Sequence, residues 1–309
     1  METRKIGSLD VSVLGLGCNN FGWHIDEQAS REVVAAALEA GINHFDTADV
    51  YGDTKSEEFL GRALGNRRDE AIIATKFGWE VDDQRQGAAP DYVKRAAEDS
   101  LRRLGTDRID LYYLHRPDEK TPIADTLGAL NELVQAGKVR EIACSNLSPD
   151  QLREADAAAR DGAKFVALQN EYSLLHREPE NGTLQTCQEL GMAFVPYFPL
   201  KSGLLTGKYR KGSAAAEGRL NAPKGSRFEG MGNALLTEEN LDTVERLIQV
   251  AESNQHSLLD LAFAWLLAQP AVASVIAGAT KPSQIQQNAK AVQWKLGDKE
   301  LAEVDAALR

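Results

Sequence analysis

Four residues of different chemistry stand where apolar runs stop. Asp46 ends INHFD, Tyr51 lies just beyond it, Lys76 ends AIIATK, and His115 ends IDLYYLH. Taken singly, each has an ordinary use. A carboxylate or lysine at a strand end is usually solvated, a histidine is usually a hydrogen-bonded structural group, and a tyrosine packs. As a set they suit one task. A free phenol titrates near 10 and is a weak acid at neutral pH. A buried ammonium about 4 Å away lowers that value by roughly two to three pK units. Lys76 can supply the ammonium, Asp46 can keep it charged and oriented, and His115 can hold a carbonyl oxygen by a hydrogen bond. The set suits protonation of an alkoxide by Tyr51 as hydride reaches a carbonyl carbon.

Elements must bring these residues together. Short apolar runs alternate with helical patterns, the order of a parallel sheet with crossover helices. Eight strands are predicted: Val11–Gly17, Asn43–Thr47, Ala71–Lys76, Asp110–His115, Val139–Ser145, Phe165–Gln169, Ala193–Phe198 and Ala273–Gly278. Val33, Val34, Ala37 and Leu38 mark a first amphipathic helix, with Gly41 as its cap. Further helices run from about Ser56 to Leu64, from Pro90 to Leu104, and from start signals at Thr121-Pro122 and Pro149-Asp150. Eight such units predict one α/β domain over 1–309, a closed (β/α)8 TIM barrel. Residues 4–10 should add an N-terminal hairpin, and Glu238–Glu252 and Leu296–Leu308 extra helices. The aperiodic stretch Lys201–Leu236 is long enough to be a functional loop. In such a barrel all strand C-termini meet on one face, so Ser145, Asn146, Gln169 and Asn170 join the four residues above.

Composition narrows the field. A net charge of −11 argues against a nucleic-acid partner. No run is long and apolar enough for a membrane span, and METRKIGSLDVS lacks the apolar core of a signal peptide. Cys18, Cys144 and Cys187 are odd in number and far apart, so a reducing cytoplasm is expected. The five histidines lack HExxH or HxH spacing, so no metal site is expected. LGLGCNNFG resembles the start of a GxGxxG loop, but Asn20 replaces the third glycine.

The blocks DTADVYGDTKSEEFLGRAL, TKFGW, LRRLGTDRIDLYYLHRPD, GKVREIACSN, LQNEYSLLHR, YFPLKSGLLTGKY and IAGATKPSQIQQNAKA resemble the aldo-keto reductase superfamily, in family order across nearly the whole chain. The resemblance implies a barrel that binds NADPH, with NADH as a possible substitute, and reduces small aldehydes or ketones. It places the catalytic tetrad on Asp46, Tyr51, Lys76 and His115. It assigns Ser145, Asn146 and Gln169 to the nicotinamide carboxamide and stacks Tyr197 on the ring. Pro199, Leu200, Ser202, Gly203 and Lys208 would follow the pyrophosphate. Gly278, Thr280, Lys281, Gln284, Gln287 and Asn288 would surround the adenosine end, beside a helix N-terminus suited to phosphate. Many members carry basic residues at the positions of Gly278 and Gln284, which leaves Lys281, helped by Arg227, for a 2′-phosphate. Trp23, Trp79 and Phe198 would wall an apolar substrate pocket. A homo-oligomer is compatible with all of this. The alternative is a cofactor-binding regulatory subunit with little turnover, like the family's channel-associated β members. A Schiff-base lyase using Lys76 ranks last, because an acidic partner opposes the lowered amine pKa it needs.

Overall fold

The computed structural model describes residues 1–212, 218–221 and 230–309. Two strands, β1 (Thr3–Ile6) and β2 (Leu9–Ser12), pair as an antiparallel hairpin. Eight parallel strands follow: β3 (Leu14–Gly17), β4 (His44–Asp46), β5 (Ile72–Phe77), β6 (Ile109–Leu114), β7 (Val139–Ser145), β8 (Phe165–Glu171), β9 (Ala193–Tyr197) and β10 (Val275–Gly278). They run in the order β10-β3-β4-β5-β6-β7-β8-β9. The ring closes through Phe194, whose N–H donates to Ala271 O at 2.7 Å and whose carbonyl accepts from Ala273 N at 3.0 Å. The fold is therefore the expected (β/α)8 barrel with its N-terminal hairpin.

Each crossover helix has a local cause. α1 (Glu27–Glu39) begins where the Asp26 carboxylate accepts from Ala29 N. It ends at Gly41, whose φ of +78° suits a left-handed cap. α2 (Lys55–Leu64), α3 (Pro90–Leu104) and α4 (Ile123–Gln135) each bury one face. α5 (Pro149–Ala159) is opened by a capping box between Ser148 and Gln151. The remaining helices are α6 (Thr183–Glu189), α7 (Met231–Leu235), α8 (Glu238–Ser253), α9 (Leu258–Leu267), α10 (Pro282–Ala291) and α11 (Asp298–Ala307).

Two cores result. One lies between the barrel and its helices. The other fills the barrel, where Ala74, Leu111, Tyr113, Ala143, Ala167, Val195 and Ile276 pack with Ile6, Leu9 and Val11 of the hairpin. The hairpin thus covers one end of the barrel and leaves the strand C-termini open at the other. The predicted first strand is divided: Val11 and Ser12 belong to the hairpin, and the barrel strand begins at Leu14. Val13 N donates to Glu2 O at 3.0 Å, which turns the chain between the two. Of Lys201–Leu236, a 3-10 turn at Lys201–Thr206, another at Arg219–Asn221, and α7 are described, but Arg227 lies outside the described residues.

Candidate active site

Strand ends bring the four chemical residues together. Lys76, on β5, is fully buried. Its ammonium donates to Asp46 Oδ1 at 2.6 Å and to Thr47 O at 2.8 Å. The same nitrogen lies 5.2 Å from the centre of the Tyr51 ring. Asp46 Oδ2 accepts from Gln169 Nε2 at 2.7 Å, a bond spanning β4 and β8. Its 123-residue separation left no signal in sequence. Tyr51 meets the His115 ring edge-on at 5.8 Å between centroids. Gly52, at φ +61°, allows this placement: a Cβ there would sit 2.2 Å from Phe21 O.

The electrostatics follow from burial. Burial would lower the Lys76 ammonium, but Asp46 and Tyr51 outweigh it and hold it above the usual lysine value. Burial raises the Tyr51 phenol above its usual value, although Lys76 pulls it down. Lys76 thus lowers the phenol as expected, and burial raises it by more than the ammonium lowers it. Tyr51 stays fully protonated at neutral pH, as a proton donor must. Burial, then Lys76, then Arg116 hold His115 well below its usual value, so its imidazole is neutral. His115 Nδ1 is buried without a hydrogen-bond partner among the described residues.

Polar groups continue around the rim. Ser145 Oγ donates to Gln169 O at 2.6 Å. Asn146, with φ +63°, donates through Nδ2 to His115 O at 3.0 Å and accepts the Tyr197 hydroxyl at 2.9 Å. The Asn146 oxygen accepts this one bond and has a second lone pair for a carboxamide N–H. After β9 the chain turns through positive φ at Phe198, Lys201, Ser202 and Gly203. The Lys208 stem crosses Gly203 so closely that a Cβ there would meet Cε at 3.2 Å. Pro199 is buried and Leu200 half-buried. Lys281 occupies the N-cap of α10, which has no side-chain cap. Gln284 Oε1 accepts from Thr280 N at 2.7 Å, Asn288 is buried, and Gly278, Thr280 and Gln287 are exposed. A row of polar strand ends, a half-buried tyrosine ring, a glycine turn and an uncapped helix N-terminus fit an elongated dinucleotide diphosphate.

Two of the three aromatics expected to wall a pocket lie beside the tetrad. Trp23 lies 6.0 Å from Tyr51, and Trp79, 43% exposed, lies 5.5 Å from His115. Phe198 packs edge-on against Tyr197 at 5.3 Å. Asn20, which spoils the glycine motif, has a structural use: its carbonyl accepts from His24 N at 2.8 Å, and its amide donates to Ala279 O at 3.2 Å. It thereby ties the Trp23 loop to the end of β10.

Sequence reasoning missed Asp49. It is 3% exposed, on the loop that carries Tyr51. Its Oδ2 receives the Tyr92 hydroxyl at 3.4 Å, and the Val50 N–H is a further, weaker influence on the carboxyl. The nearby cation, Arg103, is taken by Glu57 at 2.6 Å. Burial and the Glu57 charge push the Asp49 carboxyl up to about 8. The folded chain therefore keeps a proton that the unfolded chain loses near pH 4. Stability falls as pH rises from about 4 to about 8. An asparagine side chain in its place would carry no charge in either state. Asp49→Asn should thus flatten the decline of melting temperature between pH 5 and 8 and gain a few kcal/mol at pH 8, on the order of 1.4 per pK unit. Parallel melting curves of parent and variant across that range would refute the assignment.

The profile of the aldo/keto reductase family matches residues 13–309, so the chain belongs to that family. The aldo-keto reductase yakc [NADP(+)] of Schizosaccharomyces pombe is 35% identical, over 99% of this chain and 91% of its own. A probable voltage-gated potassium channel subunit beta of Oryza sativa is 34% identical, over 94% and 91%. The solved structure of a glycerol dehydrogenase from Gluconobacter oxydans superposes with a TM-score of 0.86 at 30% identity, covering 99% of this chain and 95% of its own. Oxidoreductases are thus among its relatives, and the family uses nicotinamide cofactors and small carbonyl substrates.

Proposed function

We propose that this protein is an NADPH-dependent reductase of aldehydes or ketones, with Tyr51 as its general acid. One observation carries the reading: a Lys76 ammonium fixed by Asp46 and Thr47 O beneath the Tyr51 ring, with a neutral His115 against that ring. When bound, the nicotinamide supplies the hydride that adds to the carbonyl carbon. His115 offers an N–H to the carbonyl oxygen. Tyr51 gives its proton to that oxygen as negative charge grows there. An alkoxide is far more basic than a phenolate, so a phenol raised by burial still serves as its proton donor. The phenolate left behind is stabilised by Lys76 until solvent reprotonates it. Trp23, Trp79 and Phe198 keep water from the oxygen.

The carboxamide falls to Ser145, Asn146 and Gln169, the ring to Tyr197, and the diphosphate to the turn from Pro199 to Lys208. Preference for NADPH over NADH rests on Lys281, which is exposed and has no ion pair among the described residues. A charge-assisted contact from this lysine to a 2′-phosphate is worth about 1.5–3 kcal/mol. Lys281→Ala should weaken NADPH roughly 10- to 100-fold and leave NADH nearly unchanged in a fluorescence titration. Equal losses for both cofactors would exclude that contact.

The channel-subunit relative favours a second reading, a cofactor-binding regulatory subunit. The test is steady NADPH oxidation over a panel of carbonyl compounds. Sustained turnover supports the reductase. Tight cofactor binding with at most one turnover supports the regulatory subunit.

A further inference from the structure

We propose that the substrates carry a carboxylate or phosphate a few atoms from the carbonyl, and that Arg116 at the pocket rim receives it. This rests on the reductase reading and deepens it. Arg116 directly follows His115 and is exposed. Its guanidinium lies 5.0 Å from the centre of the Trp79 ring, and that ring lies 5.5 Å from the His115 ring. A line of side chains thus runs from Tyr51 through His115 and Trp79 to a cation.

That cation is uncompensated. The chain has 46 acidic residues against 35 basic ones. Arg62, Arg67, Arg85, Arg103 and Arg108 are each paired with a carboxylate, whereas Arg116 has no ion pair among the described residues. The acid closest to it in sequence is already engaged. Asp118 accepts from Ala88 N at 2.7 Å, Lys120 N at 3.0 Å and Thr121 Oγ1 at 2.8 Å. The Trp79 face steadies the guanidinium without using its N–H groups, so the planar fork stays free for a carboxylate or phosphate. The charge also reaches the reaction centre. After burial and Lys76, Arg116 is the third influence holding His115 neutral.

That last effect supplies the competing role: Arg116 acts only on His115. Such a role alters every substrate alike. An anion receiver alters only the charged ones, and mainly through KM, because the contact is equally good before and during reaction.

Matched pairs separate the two roles. Succinic semialdehyde against butanal tests the carboxylate, and glyceraldehyde 3-phosphate against glyceraldehyde tests the phosphate. In the parent, kcat/KM should favour the charged member of at least one pair by about tenfold or more. In Arg116→Ala that preference should fall roughly 10- to 100-fold, chiefly through a higher KM, and Arg116→Lys should recover part of it. The pair that responds identifies the anion. No preference in the parent, or an unchanged preference in Arg116→Ala, overturns the proposal. If no aldehyde is reduced, the reductase reading fails by itself and binding decides this one. Butyrate or glycerol phosphate should then perturb tryptophan fluorescence where butyramide and glycerol do not, and Arg116→Ala should abolish that response. The same anion response in parent and variant overturns the proposal.

Discussion

Tyr51→Phe should bind NADPH as the parent does and reduce aldehydes about 100- to 10,000-fold more slowly, the range typical of a lost general acid. The substitution removes one oxygen and keeps the ring. The ring makes the visible contacts: Trp23 at 6.0 Å, His115 at 5.8 Å and the Lys76 ammonium at 5.2 Å. Only the phenol's hydrogen bond with Lys76 uses the hydroxyl, and Lys76 keeps Asp46 and Thr47 O as partners, so the fold should persist. Single-turnover NADPH oxidation, with cofactor binding measured separately, isolates the chemical step. A variant that binds NADPH normally and reacts within a few-fold of the parent would show that another group delivers the proton.

The tetrad was legible because a barrel writes its active site at regular places in the chain. Asp46 ends a buried strand, Lys76 is the last but one of another and His115 directly follows a third, and parallel strands point all such ends the same way. Helix starts were legible where a cap or a proline marks them, as at Ser148-Pro149 and Pro90. α9 was not legible as a helix: LLDLAFAWLL is buried on nearly every side and so has no apolar period to detect. The break between β2 and β3 was hidden for a related reason. VSVLGLG is apolar on both sides of the break, and the turn is imposed by hydrogen bonds to distant parts of the chain, such as Ser12 N to Asn43 Oδ1 at 2.7 Å. Within the site, the sequence supplied residue types but not partners. Gln169 reads as a cofactor ligand, but nothing in the sequence showed that its Nε2 also donates to Asp46. Asp49 reads as a solvated loop acid, and only the packing of Tyr92, Glu57 and Arg103 around it makes it a buried carboxyl. Arg116 reads as one arginine among many in a charged chain, and only its place over Trp79, next to His115, distinguishes it.

Lys76→Met should cost both activity and stability, and the two losses should come apart. Activity should fall about as far as in Tyr51→Phe, because an unassisted buried phenolate is too unstable to form readily. The double variant Tyr51→Phe/Lys76→Met should be little worse than either single one, since both disable one proton-transfer unit. Stability should fall by roughly 3–5 kcal/mol, the usual result of removing one partner of a buried ion pair. Asp46 would be left buried without its cation, with Gln169 Nε2 at 2.7 Å as a neutral donor to it. Adding Asp46→Asn to Lys76→Met removes that stranded charge. The pair should recover most of the stability and none of the activity. This contrast separates a lysine that holds the fold from one that serves Tyr51, and it survives if Lys76→Met alone is too unstable to purify. Melting temperature and single-turnover rate on the three variants decide it. Recovery of activity together with stability would mean that Lys76 acts only by holding the barrel together, and multiplicative losses in the Tyr51 double variant would mean that the two residues work independently.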